Sequence, residues 1–256
     1  MNRRDEVHWT TLKQIAKSPA HYRAAADLGF NKKSFVGGRL LHFLVLGGDY
    51  VIYEGKRQGN AWKGFEKLHA EKEIFTRAEV DREIAVANAV KNHPIAGPLL
   101  VGDHEVEIKW ENMGRKCSSR LDVLNHGLRR AVDLKRAVTS EPDRFSRAAR
   151  GYGYHAQGAF YQDACEFAKT PIDEYFVIAV EPVAPYAVTV FRLTGRALHQ
   201  GRKLNRIWME RLLQCEAVNE WPEYAQDIID LDSEEASDLI FGDEMDEASD
   251  TDEAAQ

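Results

Sequence analysis

The stretch that most constrains the fold is residues 119–137, SRLDVLNHGLRRAVDLKRA. It contains two short apolar segments joined by a polar, glycine-containing turn at 125–127, a pattern that predicts a β-hairpin. Asp133 and Lys135 are two apart on the second strand, so they project from one face of it. If the two strands pair as antiparallel neighbours, Asp122 lies close to Asp133. Two carboxylates and one ammonium group would then converge on one point.

A cluster of this composition is suited to metal-dependent hydrolysis of phosphodiesters. Oxygen ligands suit Mg²⁺ and Mn²⁺, and Mg²⁺ is typically held by one or two carboxylates, with water and substrate phosphate completing its shell. The metal lowers the pKa of a bound water and neutralises charge on the phosphate, while a lysine can orient or deprotonate the nucleophile. The alternative is an ordinary hairpin with surface Asp and Lys, since D-x-K is a common tripeptide. The surrounding sequence has to decide between the two.

Composition favours one sizeable α/β domain. The chain has 256 residues, of which 44% are apolar and 29% are charged, and this is enough for one such core. No apolar run reaches the roughly 18 residues of a membrane span, and the N-terminal sequence lacks the apolar region of a signal peptide. We therefore expect a cytoplasmic protein with no membrane partner. The three scattered cysteines are expected to be reduced thiols: Cys117, Cys165 and Cys215.

Charge is distributed unevenly along the chain. The formal net charge is −7, but 13 of the 41 acidic residues lie in residues 227–256, which contain no Lys or Arg. Residues 1–226 therefore carry 34 basic against 28 acidic residues and are mildly basic. Acidic tails of this kind are usually disordered, solvating or interaction segments. We predict a disordered acidic tail over 227–256.

The first 95 residues are predicted to be mainly helical. Helical patterns cover residues 9–28, with a break at Ser18-Pro19, and then 35–46, 60–72 and 76–92. Ser34 and Thr76 are the predicted N-caps of the second and fourth helices. His42 lies on the second, mostly apolar helix, where a lone histidine is more often a core residue than a ligand. The last two helices are placed to form an arch or lid over the site.

From about residue 96 onward, strands and helices are predicted to alternate. Strands are predicted over 100–110, over the two arms of the hairpin, and over 175–182 and 186–193; helices are predicted over 140–168 and 195–219. Gly151 and Gly153 weaken the first of these helices, so a break is expected there. The predicted fold is α/β, a central mixed sheet of four or five strands flanked by helices. The N-terminal helical elaboration covers about residues 1–95 and the core about residues 96–226.

Three groups of side chains outside the hairpin share a face of their predicted element. On the strand over 100–110, Glu105 and Glu107 are two apart. One face of the helix over 140–168 carries two tyrosines and a glutamine at i, i+3 and i+7: Tyr154, Gln157 and Tyr161. An arginine stripe with a spacing of three precedes them: Arg144, Arg147 and Arg150. Such a stripe usually marks a solvated face, and phosphate binding follows only if the acidic site is real.

Taken in order, four segments resemble the PD-(D/E)XK nuclease superfamily, in particular its exonuclease VIII (RecE-type) and RecB-like branch. The segments are GRLLHFLVL (38–46), RLDVLN (120–125), AVDLKRA (131–137) and GYHAQGAFYQDA (153–164). Each is weak alone, but G-x-x-x-H, then D, then D-x-K, then Y-x-x-Q-x-x-x-Y is a demanding combination. The resemblance covers about residues 9–200 and implies a restriction-endonuclease-like core.

The resemblance implies a metal site that includes the helix over 35–46. His42, Asp122 and Asp133 would face a Mg²⁺ or Mn²⁺ ion. By this resemblance His42 is a metal ligand, whereas its position on an apolar helix alone favours a core residue. Lys135 would position the attacking water. Asp133 stands where many members of the superfamily have Glu, a change that shortens the reach and keeps the charge. The cysteine quartet of the iron–sulfur relatives is absent from this sequence, so no iron–sulfur cluster is expected.

The resemblance also implies roles for the following helix. Gln157 and Tyr161 would line the catalytic site, and Tyr154 would contact DNA or brace the lysine. If the acidic site is real, the arginine stripe would hold the terminal 5′-phosphate or the nearby DNA backbone. These assignments extend the expected site from the hairpin to the helical layer that follows it.

The function implied by the resemblance is that of a metal-dependent exodeoxyribonuclease. Such an enzyme would degrade linear double-stranded DNA from the 5′ end in phage-type recombination or repair. Its partners would be duplex DNA ends, a single-strand annealing protein and further copies of itself in a ring. Two alternatives stay open: a structure-specific or flap endonuclease of the same fold, and a non-catalytic module that binds DNA ends or protein.

Overall fold

The computed structural model describes residues 5–29, 35–225 and 227–229. The predicted N-cap Ser34 and almost all of the predicted acidic tail lie outside the described residues. Within these ranges, none of the helices combines the length and the apolar character needed to cross a membrane.

The strands of the N-terminal part are short, and longer strands follow. The helices of the described residues are α1 Trp9–Leu12, α2 Pro19–Leu28, α3 Val36–Leu46, α4 Gly59–Leu68, α5 Arg77–Asn92, α6 Ala96–Leu99, α7 Pro142–Tyr152, α8 Tyr154–Phe167 and α9 Gly195–Val218. A 3-10 turn, Lys13–Ala16, lies between α1 and α2. The strands are β1 Val7–His8, β2 Tyr50–Tyr53, β3 Glu73–Thr76, β4 Asp103–Asn112, β5 Arg115–Asn125, β6 Arg130–Arg136, β7 Glu174–Val180 and β8 Val188–Arg192.

A mixed six-stranded sheet forms the centre of the fold. Its order is β1-β5-β6-β7-β8, and β4 also pairs with β5. The pairs β4/β5, β5/β6 and β7/β8 are antiparallel, whereas β1/β5 and β6/β7 are parallel. The predicted central mixed sheet and the hairpin β5–β6 are therefore confirmed. The strand beyond the predicted four or five is β1, which is too short to give a sequence pattern.

Helices cover both faces of this sheet. Along β7, Tyr175 and Val177 belong to one core layer, which also includes buried residues of α8 and α9. Ile178 and Val180 belong to the opposite layer, which includes buried residues of α3 and α5. An uninterrupted apolar strand is what burial on two faces requires, and the sequence of β7 has that character.

The N-terminal region contains a second sheet that the sequence analysis missed. Strands β2 and β3 pair in parallel, and each has only four residues, which is too short for alternation to be recognised. Phe75 of β3 is fully buried and packs edge-on against Phe43 of α3 and Tyr50 of β2. This aromatic cluster fixes α3, the helix that carries His42, against the small sheet.

A predicted helix break is confirmed at Gly153. This residue has φ 75°, a left-handed conformation that favours glycine. Its backbone N–H bonds the carbonyl groups of Ala149 and Arg150, which ends α7, and α8 begins at the next residue. The break reorients the chain, so the arginine stripe on α7 and the tyrosine–glutamine face on α8 belong to different helices.

The close approach of α8 and α9 gives a test of the helical layer. A Cβ at Gly201 of α9 would overlap the backbone carbonyl of His155, whereas a Cβ at Gly151 of α7 would meet no atom within 4 Å. We expect Gly201→Ala to lower the free energy of unfolding by about 2–3 kcal/mol. The matched variant Gly151→Ala should raise it by about 0.5–1 kcal/mol, because alanine is the better helix former. Urea unfolding measures both, and equal stabilities would contradict this packing.

Candidate metal centre

The side chain of Asp122 connects the two strands of the hairpin. The backbone pairing of β5 with β6 extends only to Val123 on β5. One residue beyond it, Oδ2 of Asp122 accepts a 2.7 Å hydrogen bond from the backbone N–H of Leu134. Asp122 is only 8% exposed, and a buried carboxylate needs such a donor. The strands are thus held together by a side chain at the point where backbone pairing stops.

The backbone carbonyl of the same leucine orients His42. Nε2 of His42 lies 3.0 Å from the carbonyl oxygen of Leu134. A carbonyl can only accept, so Nε2 carries the proton and donates it. Nδ1 then faces the carboxylates, 3.4 Å from Oε1 of Glu105 and 3.5 Å from Oδ1 of Asp122. In neutral His42 the free lone pair therefore points towards two carboxylate oxygens.

Glu105 joins this group from β4 through an unusual backbone conformation. The pairs His104↔Val123 and Val106↔Leu121 flank it, so it lies across from Asp122. Its φ of 51° is left-handed, which is uncommon for a residue other than glycine and costs of order 1–3 kcal/mol. Its second oxygen, Oε2, is 3.0 Å from Nε of Arg120. The strain thus falls on a residue whose carboxylate contacts His42.

Three side chains are close enough to share one cation. His42, Glu105 and Asp122 each offer a ligand atom, and these atoms all lie within 4.8 Å of one another. Two carboxylates and one imidazole fit a divalent cation such as Mn²⁺ or Mg²⁺, because hard oxygen donors dominate the set. Leu134 fixes two of the three ligands through its backbone, as outer contacts of metal sites commonly do.

Asp133 has different partners from Asp122. Its Oδ2 lies 2.7 Å from Nζ of Lys135, and its Oδ1 accepts a 3.0 Å hydrogen bond from Nε2 of Gln157. It is outside the group that could share a cation, so its assignment as a metal ligand stays a prediction. Burial lowers the pKa of Lys135, but the charge of Asp133 more than offsets this and raises that pKa above its usual range. Lys135 is therefore an ammonium ion and serves as a donor of hydrogen bonds and positive charge.

The helix that follows the hairpin supports this ion pair. Gln157, which holds Asp133, lies 3.3 Å from the hydroxyl oxygen of Tyr161, and burial raises the pKa of Tyr161 to about 12. The ring of Tyr154 lies under Lys135, with Nζ 4.9 Å from the ring centroid. The three residues predicted on one face of this helix thus gather around Asp133 and Lys135. Tyr154 braces the lysine through a cation–π contact.

Burial and charge shift the pKa values of the two groups at the centre. Burial raises the pKa of Asp122 to about 6, against the attraction of His42. Burial also lowers the pKa of His42, but the charge of Asp122 and the hydrogen bond with Glu105 outweigh it and raise the pKa to about 9. Between these values the metal-free site holds an imidazolium beside an ionised carboxylate. A cation that binds Nδ1 has to displace the proton there.

Comparisons with known proteins agree with this fold. Residues 9–232 match a family model described as a PDDEXK-like domain of unknown function, DUF3799. The chain belongs to this family. The PDDEXK-like fold also matches the crystal structure of a candidate exonuclease from Eubacterium rectale, with a TM-score of 0.65 and 15% sequence identity over 94% of each chain. No curated protein matches the sequence significantly.

A second solved structure is more distant. It is a phage-related exonuclease from Haemophilus somnus, with a TM-score of 0.40 and 12% identity over 84% of this chain and 96% of that one. At these identities structural likeness shows the fold alone. The predicted membership in the PD-(D/E)XK superfamily is confirmed by the family match.

Most residues predicted for the PDDEXK-like site lie together, and three do not. The hairpin acids, Lys135, His42 and the face of α8 form one connected set of contacts. The three arginines of α7 are exposed, and within the described residues no hydrogen bond or ion pair joins them to that set: Arg144, Arg147 and Arg150. Their binding to DNA stays a prediction. Glu105 was missed as a site residue; its only signal was an acidic side chain on the strand before the hairpin.

Replacing Glu105 tests whether it is a ligand. We expect Glu105→Gln to weaken Mn²⁺ binding at least tenfold, roughly the smallest loss typical of altered metal sites, because one of the two carboxylates facing Nδ1 of His42 is removed. Glu107→Gln is the matched control, since Glu107 lies on the same strand, is exposed and contacts Lys109 instead. Isothermal titration calorimetry at constant pH measures both affinities. Equal affinities of the two variants would exclude Glu105 from the metal shell.

The raised pKa of His42 predicts how stability depends on pH in the metal-free protein. The protonated form is favoured by folding, so its contribution is fully present below the unfolded pKa of about 6.5 and is lost as the pH rises through about 9. We expect wild type to lose about 3–4 kcal/mol across this window relative to His42→Asn, at about 1.4 kcal/mol per pH unit. Chemical denaturation in EDTA measures the difference. His199→Asn, at an exposed site on α9, should keep the wild-type dependence of stability on pH. If His42→Asn also keeps the wild-type dependence, the raised pKa of His42 is refuted.

Proposed function

We propose that this protein is a metal-dependent exodeoxyribonuclease that degrades linear double-stranded DNA. The observation that carries the proposal is the convergence of His42, Glu105 and Asp122 beside the Asp133–Lys135 ion pair. The membership in the PDDEXK-like family and the exonuclease name of the structurally similar protein from Eubacterium rectale support the same activity class. Digestion from the 5′ end and a role in phage-type recombination or repair are further parts of the proposal.

In the proposed chemistry, a cation and the residues of the chain have separate roles. A divalent cation on His42, Glu105 and Asp122 would polarise the scissile phosphate and acidify a bound water. Lys135 is held as a cation, so it donates hydrogen bonds to the attacking water or to a phosphate oxygen rather than taking a proton. Asp133 fixes the position of that ammonium group. Preorganised charge of this kind accounts for much of the rate acceleration in enzymes.

The outer contacts keep this arrangement rigid. Gln157 and Tyr161 hold Asp133 from α8, and Tyr154 supports Lys135 from below its ammonium group. A site whose side chains are locked by hydrogen bonds and packing can meet the geometric demands of in-line attack. We therefore assign Gln157, Tyr161 and Tyr154 as positioning residues, with Tyr154 also available to the DNA.

The proposal includes a biological setting for the activity. DNA ends are the proposed substrate, and a single-strand annealing protein is a proposed partner in the cytoplasm. A ring of several copies would tether the enzyme to the strand it degrades. Oligomeric state by sedimentation and co-purification with a candidate annealing protein address these two points separately from catalysis.

Removal of Lys135 tests the activity. We expect Lys135→Ala to lower kcat on linear duplex DNA in Mg²⁺ or Mn²⁺ by about 10²–10³-fold, as loss of one preorganised donor usually does. Lys116→Ala on β5 is the matched control, because Lys116 is an exposed lysine on a strand of the same hairpin. Thermal unfolding of each variant checks that the fold is intact.

The substrate decides between the proposed function and its alternatives. A covalently closed circular duplex should stay intact while linear duplex is degraded, because an exonuclease needs an end. Cleavage of the closed circle, or of flaps alone, would instead indicate an endonuclease. Equal degradation by wild type and Lys135→Ala would remove the proposed catalytic site.

A further inference from the structure

A second lysine lies close to the Asp133–Lys135 ion pair. Lys13 begins the 3-10 turn after α1, and its Nζ lies 5.0 Å from the ring centroid of Trp9. The residue is partly buried. Within the described part of the chain, no carboxylate forms an ion pair with its ammonium group. A partly buried charge without a partner is costly, so its position calls for an explanation.

The two lysine–aromatic pairs are neighbours. Lys135 rests on the ring of Tyr154, and Lys13 rests on the ring of Trp9. The ring of Trp9 lies against Gly153, the residue before Tyr154, because a Cβ at that glycine would lie 3.3 Å from Cζ2 of Trp9. The ammonium groups of Lys13 and Lys135 are close enough for the charge of Lys135 to lower the pKa of Lys13.

The electrostatics distinguish the two ammonium groups. Lys135 is neutralised by Asp133, whereas burial lowers the pKa of Lys13 to about 8, and the charges of Lys135 and then Lys17 add to the effect. A purely structural lysine would gain only about 0.5–1 kcal/mol from its contact with Trp9. An anion placed next to Lys13 would relieve both the desolvation and the repulsion. DNA supplies such an anion at every nucleotide.

We propose that Lys13 binds a phosphate group of the DNA strand next to the position of cleavage. The proposal rests on the proposed nuclease function and adds a binding residue from the N-terminal turn, outside the hairpin and α8. The phosphate is either the terminal 5′-phosphate of the strand or an internal phosphodiester. Lys13 holds it by charge and hydrogen bonding, while Trp9 fixes the lysine stem.

Charge removal at Lys13 tests the proposal, with Lys13→Met as the main variant because it keeps an apolar stem on Trp9. On linear duplex we expect KM to rise about 10–100-fold, the usual effect of losing a charge-assisted hydrogen bond, and kcat to change much less. Lys13→Arg should restore KM to within about threefold, because it keeps the charge. Lys17→Met, at an exposed lysine of the same segment, should match wild type. The salt dependence of binding should fall by about one phosphate contact in Lys13→Met alone.

The DNA end identifies which phosphate is bound. If Lys13 holds the terminal phosphate, the rise in KM appears with 5′-phosphorylated ends and vanishes with 5′-hydroxyl ends. If it holds an internal phosphodiester, the rise is the same for both kinds of end. A KM and salt dependence equal to wild type on both substrates would overturn the proposal, as would a loss of thermal stability in Lys13→Met that explains the whole effect.

A binding measurement separates this inference from the nuclease function. Fluorescence anisotropy of a labelled duplex in Ca²⁺ reports binding whether or not the wild type cleaves DNA. Weaker binding by Lys13→Met than by Lys17→Met supports the inference even if no cleavage is seen with Mg²⁺ or Mn²⁺. Equal binding by the two variants refutes it and leaves the nuclease proposal standing on its own test.

Discussion

The site depends on the backbone of a single residue on the second hairpin strand. Leu134 donates its N–H to Asp122 and accepts the Nε2–H of His42 on its carbonyl, so one peptide segment orients two side chains from two other elements. Its own side chain is buried in the layer that contains α3, which prevents the strand from shifting. Packing of an apolar side chain thereby determines the geometry of a polar site, and this holds only because β6 lies between two paired neighbours in the sheet.

The arrangement is unfavourable in the free protein, and the surrounding fold compensates for it. Asp122 is buried with a raised pKa, Glu105 has a left-handed backbone, and Lys13 forms no ion pair with any carboxylate that the structure describes. Strain and unpaired charge of this kind persist only where neighbouring structure enforces them, and they concentrate at functional sites. A cation would relieve the repulsion between the two carboxylates. A phosphate would neutralise the positive charge of the Lys13 ammonium group. These costs are consistent with the proposed cation and phosphate ligands.

Much of the fold could be predicted because its signals are local. The alternating hairpin, the uninterrupted apolar β7 and the glycine break between α7 and α8 each appear within a short window of sequence. Glu105 and Lys13 could not be identified this way, because their significance arises from the proximity of residues far along the chain. Glu105 lies across from Asp122 only once β4 pairs with β5, and no pattern within 100–110 predicts its left-handed backbone. The short strands β2 and β3 were not predicted for a different reason: four residues are too few to show an alternation of apolar and polar side chains.

The division of labour between the two hairpin acids follows from their neighbours. Asp122 has His42 and Glu105 beside it, so its free oxygen Oδ1 faces other potential ligands. Asp133 lies outside that group and has an ammonium ion and an amide donor as partners. A carboxylate already neutralised by Lys135 gains less from a cation than one that faces another carboxylate, because the electrostatic repulsion to be relieved is smaller. The same two residue types on one hairpin therefore have different surroundings: Asp122 faces two other potential metal ligands, and Asp133 keeps the lysine charged and in place.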